Sequence, residues 1–162
     1  MRSRPPRQKA WLSAVALTAL VALGSALASQ HLMGQMPCAW CVLQRLIFVA
    51  VAVAAGLGVV LPGTLGSRLG AGLALPLALS GAAAALWQHL VAAQSASCNM
   101  SLADQIMGAT GFDSRWPQVF SAYASCAEAQ TKLLGLPYEY WSFALFTLLA
   151  GISLRVLTAR NR

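Results

Sequence analysis

Residues 36–61 read MPCAWCVLQRLIFVAVAVAAGLGVVL. Two cysteines separated by two residues, Cys38 and Cys41, stand directly before an apolar run, and Arg45 lies inside that run. A run of about 20 apolar residues is long enough to cross the hydrocarbon core of a bilayer as a helix. The stretch therefore predicts a membrane helix over residues 42–61 that begins beside a cysteine pair.

The rest of the composition agrees with a membrane protein. The chain is 58% hydrophobic and only 9% charged, whereas a soluble globular domain is about 25% charged. The predicted spans are residues 10–28, 42–61, 69–91 and 138–158. We therefore expect an all-α, polytopic membrane four-helix bundle that forms a single domain over residues 1–162.

The start of the chain fits two kinds of segment, a retained membrane helix and a signal peptide. The basic start, the apolar run and Ala26-Leu27-Ala28 also fit a cleavable signal peptide, but the run exceeds the usual apolar core of about 7–15 residues. We therefore expect a retained first span. Residues 62–68 are predicted to form a tight turn, since Pro and Gly interrupt the run there, and Pro76 is expected to be a tolerated kink in the third span.

The positive charges predict the orientation. Eight of the eleven lysines and arginines lie in the two tails and in the turn after residue 61, whereas segments 29–41 and 92–137 carry only Arg115 and Lys132. Lys and Arg accumulate on the cytoplasmic side, so both termini are expected there and the two segments become outer loops. The net charge of +7 is read as this signal, and the lipid bilayer, not nucleic acid, is the expected partner. The outer side then carries all four cysteines, Cys38, Cys41, Cys98 and Cys126.

The long outer loop contains weakly amphipathic pieces. Ser101 is a plausible N-cap for a short helix that carries Leu102 and Ile106, and apolar residues recur near helical spacing after Pro117. Such short helices either lie on the bilayer surface or pack as a cap on the bundle.

The Cys38–Cys41 pair points to redox chemistry. A CxxC pair is also compatible with zinc or with a static disulfide. Zinc would need four ligands together, Cys98 and Cys126 do not form a second CxxC, and an oxidising outer side disfavours thiolate sites. A disulfide that closes so small a loop adds little constraint to the unfolded chain. We therefore expect a redox pair and no metal site.

Position and charge also favour a reactive Cys41. A helix N-terminus stabilises a thiolate, and Arg45, four residues later, lies on the same helical face. The sequence has no Rossmann glycine motif and no CxxCH haem attachment. An acceptor dissolved in the bilayer needs only a polar spot at membrane depth, and Arg45, with Gln44 and His89, is predicted to hydrogen-bond a quinone carbonyl there.

These features together resemble the quinone-linked disulfide bond formation protein B family of bacterial inner membranes. The similarity covers nearly the whole chain: four spans, an outer CxxC before the second span and two single cysteines in the second outer loop. The PCxxCxxQR pattern at residues 37–45 is specific. So are Leu134-Gly135-Leu136-Pro137 and Trp141-Ser142.

The resemblance implies a relay. It implies that a Cys98–Cys126 disulfide accepts electrons from a periplasmic thioredoxin-fold thiol oxidant, with Cys98 forming the mixed disulfide. Electrons then pass to the Cys38–Cys41 pair. The Cys41 thiolate forms a charge-transfer complex or adduct with ubiquinone or menaquinone from the membrane pool, and Arg45 orients the ring. Such oxidant–quinone systems keep the bacterial periplasm oxidising.

Two alternatives stay open at this point. His31, Met33 and Met36, with the CxxC cysteines, form a soft-ligand cluster that suits Cu(I), so the protein is alternatively a membrane copper-binding or copper-delivery protein. Otherwise it is a structural membrane subunit whose cysteines form inert disulfides.

Overall fold

A computed structural model describes residues 5–94, 101–129, 132–133 and 135–159. Its elements in chain order are α1 (Pro5–Met33), α2 (Ala39–Val60), α3 (Gly63–Leu90), a 3₁₀ turn (Ala92–Gln94), α4 (Leu102–Thr110), α5 (Phe112–Arg115), α6 (Pro117–Phe120), β1 (Lys132–Leu133), β2 (Leu136–Pro137) and α7 (Tyr138–Thr158). The two strands pair antiparallel as a ribbon of two residues each. Four helices, α1, α2, α3 and α7, are long and apolar enough to cross a membrane, and the prediction of an all-α four-helix membrane bundle is confirmed.

α1, α2 and α3 are longer than the predicted spans, whereas α7 coincides with the predicted residues 138–158. α1 runs on to Met33 and ends before Gly34, whose φ of 67° favours glycine, so the first outer loop is residues 34–38 instead of 29–41. Gly63 begins α3, and most of the expected turn at 62–68 is therefore helical. Pro62 and Gly63 stand at the actual break between α2 and α3, and the residues that follow are helical because proline is tolerated at the start of a helix.

Close backbone approach holds the middle of the bundle together. A Cβ added to Gly70 of α3 would lie 2.5 Å from the Gly58 Cα of α2 and 2.8 Å from the Ala54 carbonyl oxygen. Small residues at a helix interface permit such contact, which drives helix association in lipid. Farther along, the rings of Phe48 and Phe146 stack with centroids 4.0 Å apart, and this pair joins α2 to α7.

The described part of the long outer segment packs on the end of the bundle. Ser101 caps α4 through a reciprocal capping box with Asp104, as its sequence pattern predicts. Met107 of α4 and Phe120 of α6 are buried in one cluster with Trp40 at the start of α2. Of the two arrangements that the sequence left open, these contacts favour the cap.

A main-chain contact ties this cap to the first outer loop. The Pro37 carbonyl oxygen accepts hydrogen bonds from the Tyr123 N–H at 2.9 Å and from the Ala124 N–H at 3.3 Å. Pro37 directly precedes the CxxC, and Ala124 lies two residues before Cys126. The contact therefore brings Cys126 to the CxxC pair.

The α2–α3 approach gives the first prediction. Replacing Gly70 by Ala forces backbone atoms of α2 apart, and overpacking of this kind costs about 1–3 kcal/mol. We expect Gly70→Ala to lower the thermal unfolding midpoint in detergent. Gly56→Ala is the matched control, because a Cβ there meets nothing within 4 Å, and it should leave the midpoint unchanged or raise it. Equal midpoints for both variants would contradict the close approach.

Candidate functional site

The CxxC pair forms the N-terminus of α2. Cys38 is the N-cap residue, with an extended backbone, and its Sγ accepts a hydrogen bond from the Cys41 N–H at 3.4 Å. The two Sγ atoms are 2.8 Å apart. Cys38 is fully buried, whereas Cys41, in the first turn, is only partly covered and lines a cavity. The capping role explains why the pair is held at this short separation.

Cys126 of the outer cap completes a group of three sulfurs. The described cysteines, Cys38, Cys41 and Cys126, are all free thiols, while Cys98 lies outside the described residues. Hydrogen bonds from Cys38 to Cys126 and to Cys41, together with burial, raise the pKa of the Cys38 thiol well above its ordinary value. The hydrogen bond from Cys38 lowers the pKa of Cys126 against the opposing effect of burial. These contacts and the burial favour the protonated form of Cys38 between the two other sulfurs.

Arg45 lies one turn below Cys41 and is held by three oxygens, two from α1 and one from α6. Its Nη1 donates to Gln30 Oε1 and, at 3.0 Å, to the Val119 carbonyl oxygen, and its Nη2 donates to the Ala26 carbonyl oxygen at 3.3 Å. The side chain is 5% exposed. All three acceptors are neutral, so the guanidinium keeps its positive charge uncompensated by them.

Gln88 of α3 connects Cys41 to two other polar residues. Its Nε2 donates to Cys41 Sγ at 3.3 Å and to Glu139 Oε1 at 3.4 Å, and its Oε1 accepts from Gln44 Nε2 at 2.7 Å. Gln88 and Glu139 are 3% and 4% exposed. These contacts form a continuous polar chain from α2 through α3 to α7.

A cavity of about 520 Å³ opens beside these groups. This volume lies within the range of about 300–1,000 Å³ typical of small-molecule sites. Its wall is mostly apolar and is built by α1, the first outer loop, α2 and the start of α7. The polar and sulfur-bearing residues that line it include Ser25, Ser29, Cys41, Gln44, Arg45, Gln88, Tyr138, Glu139 and Ser142.

The structure brings together most of the residues predicted for the acceptor site. Gln44 and Arg45 line the cavity with Cys41, but His89 does not belong to its described lining; the His89 ring lies against Tyr140, with Nε2 3.1 Å from the Tyr140 hydroxyl. Gln88, the residue before His89, lies in the cavity wall instead. Adjacent helical residues point about 100° apart, so the choice between Gln88 and His89 depends on the rotation of α3.

Sequence reasoning also missed Glu139 and Gln30. Each is a polar residue at the outer end of an otherwise apolar run. Their polarity could have identified them. Polar side chains are costly to bury inside a membrane helix, so they usually face a partner or a cavity.

The copper alternative gains no support. Among the described residues, no group of three or more His, Cys, Asp and Glu side chains is placed to hold a metal ion. His31, Met33 and Met36 are exposed.

Comparison with known proteins agrees with this arrangement. Residues 8–156 match the family model described as disulfide bond formation protein DsbB. The chain belongs to this family. It is 34% identical over 144 residues to disulfide bond formation protein B of Aromatoleum aromaticum, covering 86% of each chain. It is 32% identical to the protein of that name from Polaromonas naphthalenivorans, covering 96% of this chain and 92% of the relative.

A third relative is disulfide bond formation protein B 1 of Pseudomonas savastanoi pv. phaseolicola, at 30% identity over 159 residues. Membership of the DsbB family, with four helices suited to crossing a bilayer, identifies a multi-pass bacterial inner-membrane protein and a disulfide-forming oxidoreductase.

The sulfur cluster predicts a pH dependence. Because the Cys38 thiol lowers the pKa of Cys126, Cys126 is a thiolate at lower pH than an ordinary cysteine. Iodoacetamide should therefore alkylate Cys126 of the reduced protein at lower pH than it alkylates Cys38, as read by peptide mass spectrometry. Replacing Cys38 by Ala removes the donor and should move the Cys126 profile to higher pH.

Cys41→Ala is the matched control for this experiment. It removes a neighbouring sulfur but keeps the Cys38 donor, and the negative charge of Cys41 raises the pKa of Cys126. The Cys126 profile should then stay in place or move to lower pH. An unchanged pH profile of Cys126 alkylation in Cys38→Ala would contradict the hydrogen bond between Cys38 and Cys126.

Proposed function

We propose that this protein is a membrane thiol:quinone oxidoreductase that reoxidises a periplasmic thioredoxin-fold thiol oxidant. The observation that carries the proposal is the position of Cys41, which touches Cys38 on one side and lines the cavity with Arg45 on the other. One sulfur is thus within reach both of a disulfide partner and of a membrane-depth cavity.

The cavity suits a quinone head group. Its apolar wall matches a flat ring, and Arg45 and Gln44 supply N–H groups for carbonyl oxygens. A quinone bound there supplies the acceptor for two electrons and two protons. Arg45 is the residue best suited to stabilise negative charge on an oxygen, because its guanidinium is already held in place by three neutral acceptors.

The sulfur cluster supports a definite order of exchange. Thiol–disulfide exchange requires a thiolate to approach a disulfide sulfur. Cys126 has the lowered pKa and hydrogen-bonds with Cys38, whereas Cys41 faces the cavity. In the oxidised CxxC pair, Cys126 would therefore attack Cys38 and release Cys41 as the thiolate beside Arg45.

The complete sequence balances. A thiolate of the partner attacks Cys98 in the Cys98–Cys126 disulfide and releases Cys126, and the second partner thiolate then displaces Cys98. Cys126 attacks Cys38 and displaces Cys41, after which Cys98 attacks Cys126 and displaces Cys38. Re-forming the Cys38–Cys41 bond gives up two electrons to the acceptor, and two protons accompany them. The net change is oxidation of one dithiol and reduction of one quinone.

The orientation of this reaction follows from charge. The excess of Lys and Arg in the tails and in the α2–α3 turn supports cytoplasmic termini. The cap and the sulfur cluster then face the periplasm, where a thioredoxin-fold partner reaches them. Ubiquinone and menaquinone both carry the carbonyl oxygens that the N–H groups of the cavity would bind. Which of the two is used depends on the quinone pool of the host.

The order of exchange predicts which disulfide can be trapped. Both variants are made in a Cys98→Ser chain, because Cys98 would otherwise displace Cys38 from Cys126. Cys41→Ser leaves Cys38 without its CxxC partner, so the Cys38–Cys126 disulfide should accumulate after oxidation of the purified protein. Non-reducing peptide mapping measures it. Cys38→Ser is the matched variant and should give much less Cys41–Cys126 disulfide, because Cys126 hydrogen-bonds with Cys38. Equal yields from the two variants would contradict the proposed order.

Arg45 gives a second prediction. Arg45→Met keeps much of the side-chain length and removes the charge. A hydrogen bond to a charged group contributes about 1.5–3 kcal/mol, so the KM for quinone should rise roughly ten- to a hundredfold in a steady-state assay with reduced partner. Arg68→Met is the control, since Arg68 is exposed and lies near the end of α3 that is far from Gln88 and the cavity. An unchanged KM in Arg45→Met would remove Arg45 from the acceptor site.

A further inference from the structure

The polar chain through Gln88 has no part in the relay described above. Gln88 places an N–H donor on the Cys41 sulfur at 3.3 Å, in a position 3% exposed. A donor directed at sulfur favours the charged form of a cysteine. Beside Arg45, which attracts the thiolate through its charge, Gln88 offers a direct contact with the sulfur atom.

The orientation of the Gln88 amide is fixed by its neighbours. Gln44 donates to its oxygen at 2.7 Å, and Glu139 Oε1 lies 3.4 Å from its nitrogen. A side-chain amide accepts through its oxygen and donates through its nitrogen, so rotating the Gln88 amide would lose its hydrogen bonds to Gln44, Glu139 and Cys41. Glu139 therefore keeps the nitrogen of Gln88 directed at both the carboxylate and Cys41.

We propose that Gln88 is a catalytic residue that stabilises the Cys41 thiolate through its side-chain N–H, and that Glu139 is a positioning residue that fixes the Gln88 amide. The inference rests on the proposed function, because that function makes Cys41 the reacting thiolate. It adds one residue of α3 and one of α7 to the reacting groups of α2 and the cap.

The charged and titratable groups around Cys41 define how the test is built. They are Cys38 and Arg45 from its own segment, Cys126 from the cap, and Tyr138 and Glu139 from α7. The parent for the test is the full chain with Cys38, Cys98 and Cys126 replaced by Ala, so that Cys41 is the only thiol. Its alkylation rate by iodoacetamide is measured against pH in detergent.

Removal of the donor is the first arm. In Gln88→Met the midpoint of the Cys41 profile should move up by about 0.5–1 pH unit, the equivalent of one net hydrogen bond. Alkylation below the midpoint should slow about three- to tenfold. Gln88→Asn, whose shorter amide does not reach the sulfur, should move the midpoint in the same direction and serves if the first variant does not fold. Gln105→Met, at an exposed site on α4, is the control and should not move it.

The positioning role is tested by two substitutions that remove the same charge. Glu139→Gln keeps an oxygen acceptor for Gln88, whereas Glu139→Leu does not, so the midpoint for Leu should lie above that for Gln. In the Gln88→Met background the two should coincide, since no amide remains to be positioned. A merely structural role would lower the thermal midpoint without this pattern.

The opposite results overturn the proposal. A folded Gln88→Met or Gln88→Asn protein whose profile coincides with the parent removes Gln88 from the thiolate site. If the alkylation midpoints of Glu139→Leu and Glu139→Gln still differ in the Gln88→Met background, Glu139 does not act through Gln88. Because alkylation needs no quinone, a shifted profile in a protein without quinone turnover would count against the proposed function and leave the Gln88–Cys41 contact standing.

Discussion

The buried guanidinium of Arg45 is the constraint on which the site depends. Placing an arginine inside a membrane helix costs about 2.5–3.5 kcal/mol on insertion scales, and each hydrogen bond to a charged group returns about 1.5–3 kcal/mol. Three acceptors therefore suffice to hold Arg45. They come from α1, through Gln30 and Ala26, and from the cap, through Val119, so one charge joins three parts of the molecule.

The first two turns of α2 concentrate the chemistry because of helical periodicity. Cys38, Cys41, Gln44 and Arg45 recur at intervals of three and four residues, which places them on one face. That face meets α1 and the cavity on one side and the cap on the other. Cys38, as the N-cap, is buried under Phe120 and Met107, and the Pro37 carbonyl anchors the strand of chain that leads to Cys126.

Much of this arrangement was predictable from the sequence, for physical reasons. Apolar length determines the membrane helices, and the CxxC with Arg45 one turn later determines the face of α2 that carries the reaction. What failed were features that depend on tertiary packing. The rotation of α3 directs Gln88 into the cavity and His89 toward Tyr140. Glu139 is an acidic residue that composition rules place outside, and its partner Gln88 comes from another helix.

The helix boundaries failed for a different reason. Loop-like sequence at 29–33 and at 63–68 is helical, and single polar residues within it make tertiary contacts: Gln30 accepts a hydrogen bond from Arg45, and Ser67 donates to the Gly58 carbonyl oxygen. The meeting of Cys126 with Cys38 was likewise beyond pattern reasoning, since it depends on two main-chain hydrogen bonds to Pro37. Sequence pattern predicted the groups of the proposed site, and packing decided which of them touch.

The most direct test of the central claim is an anaerobic single-turnover titration. Fully reduced purified protein is mixed with a short-chain quinone, and thiols lost and quinol formed are counted together. The account predicts one quinol for every two thiols lost, with the first disulfide at Cys38–Cys41. Thiol loss without quinol, or quinol formation at the same rate in a chain that lacks Cys41, would contradict it.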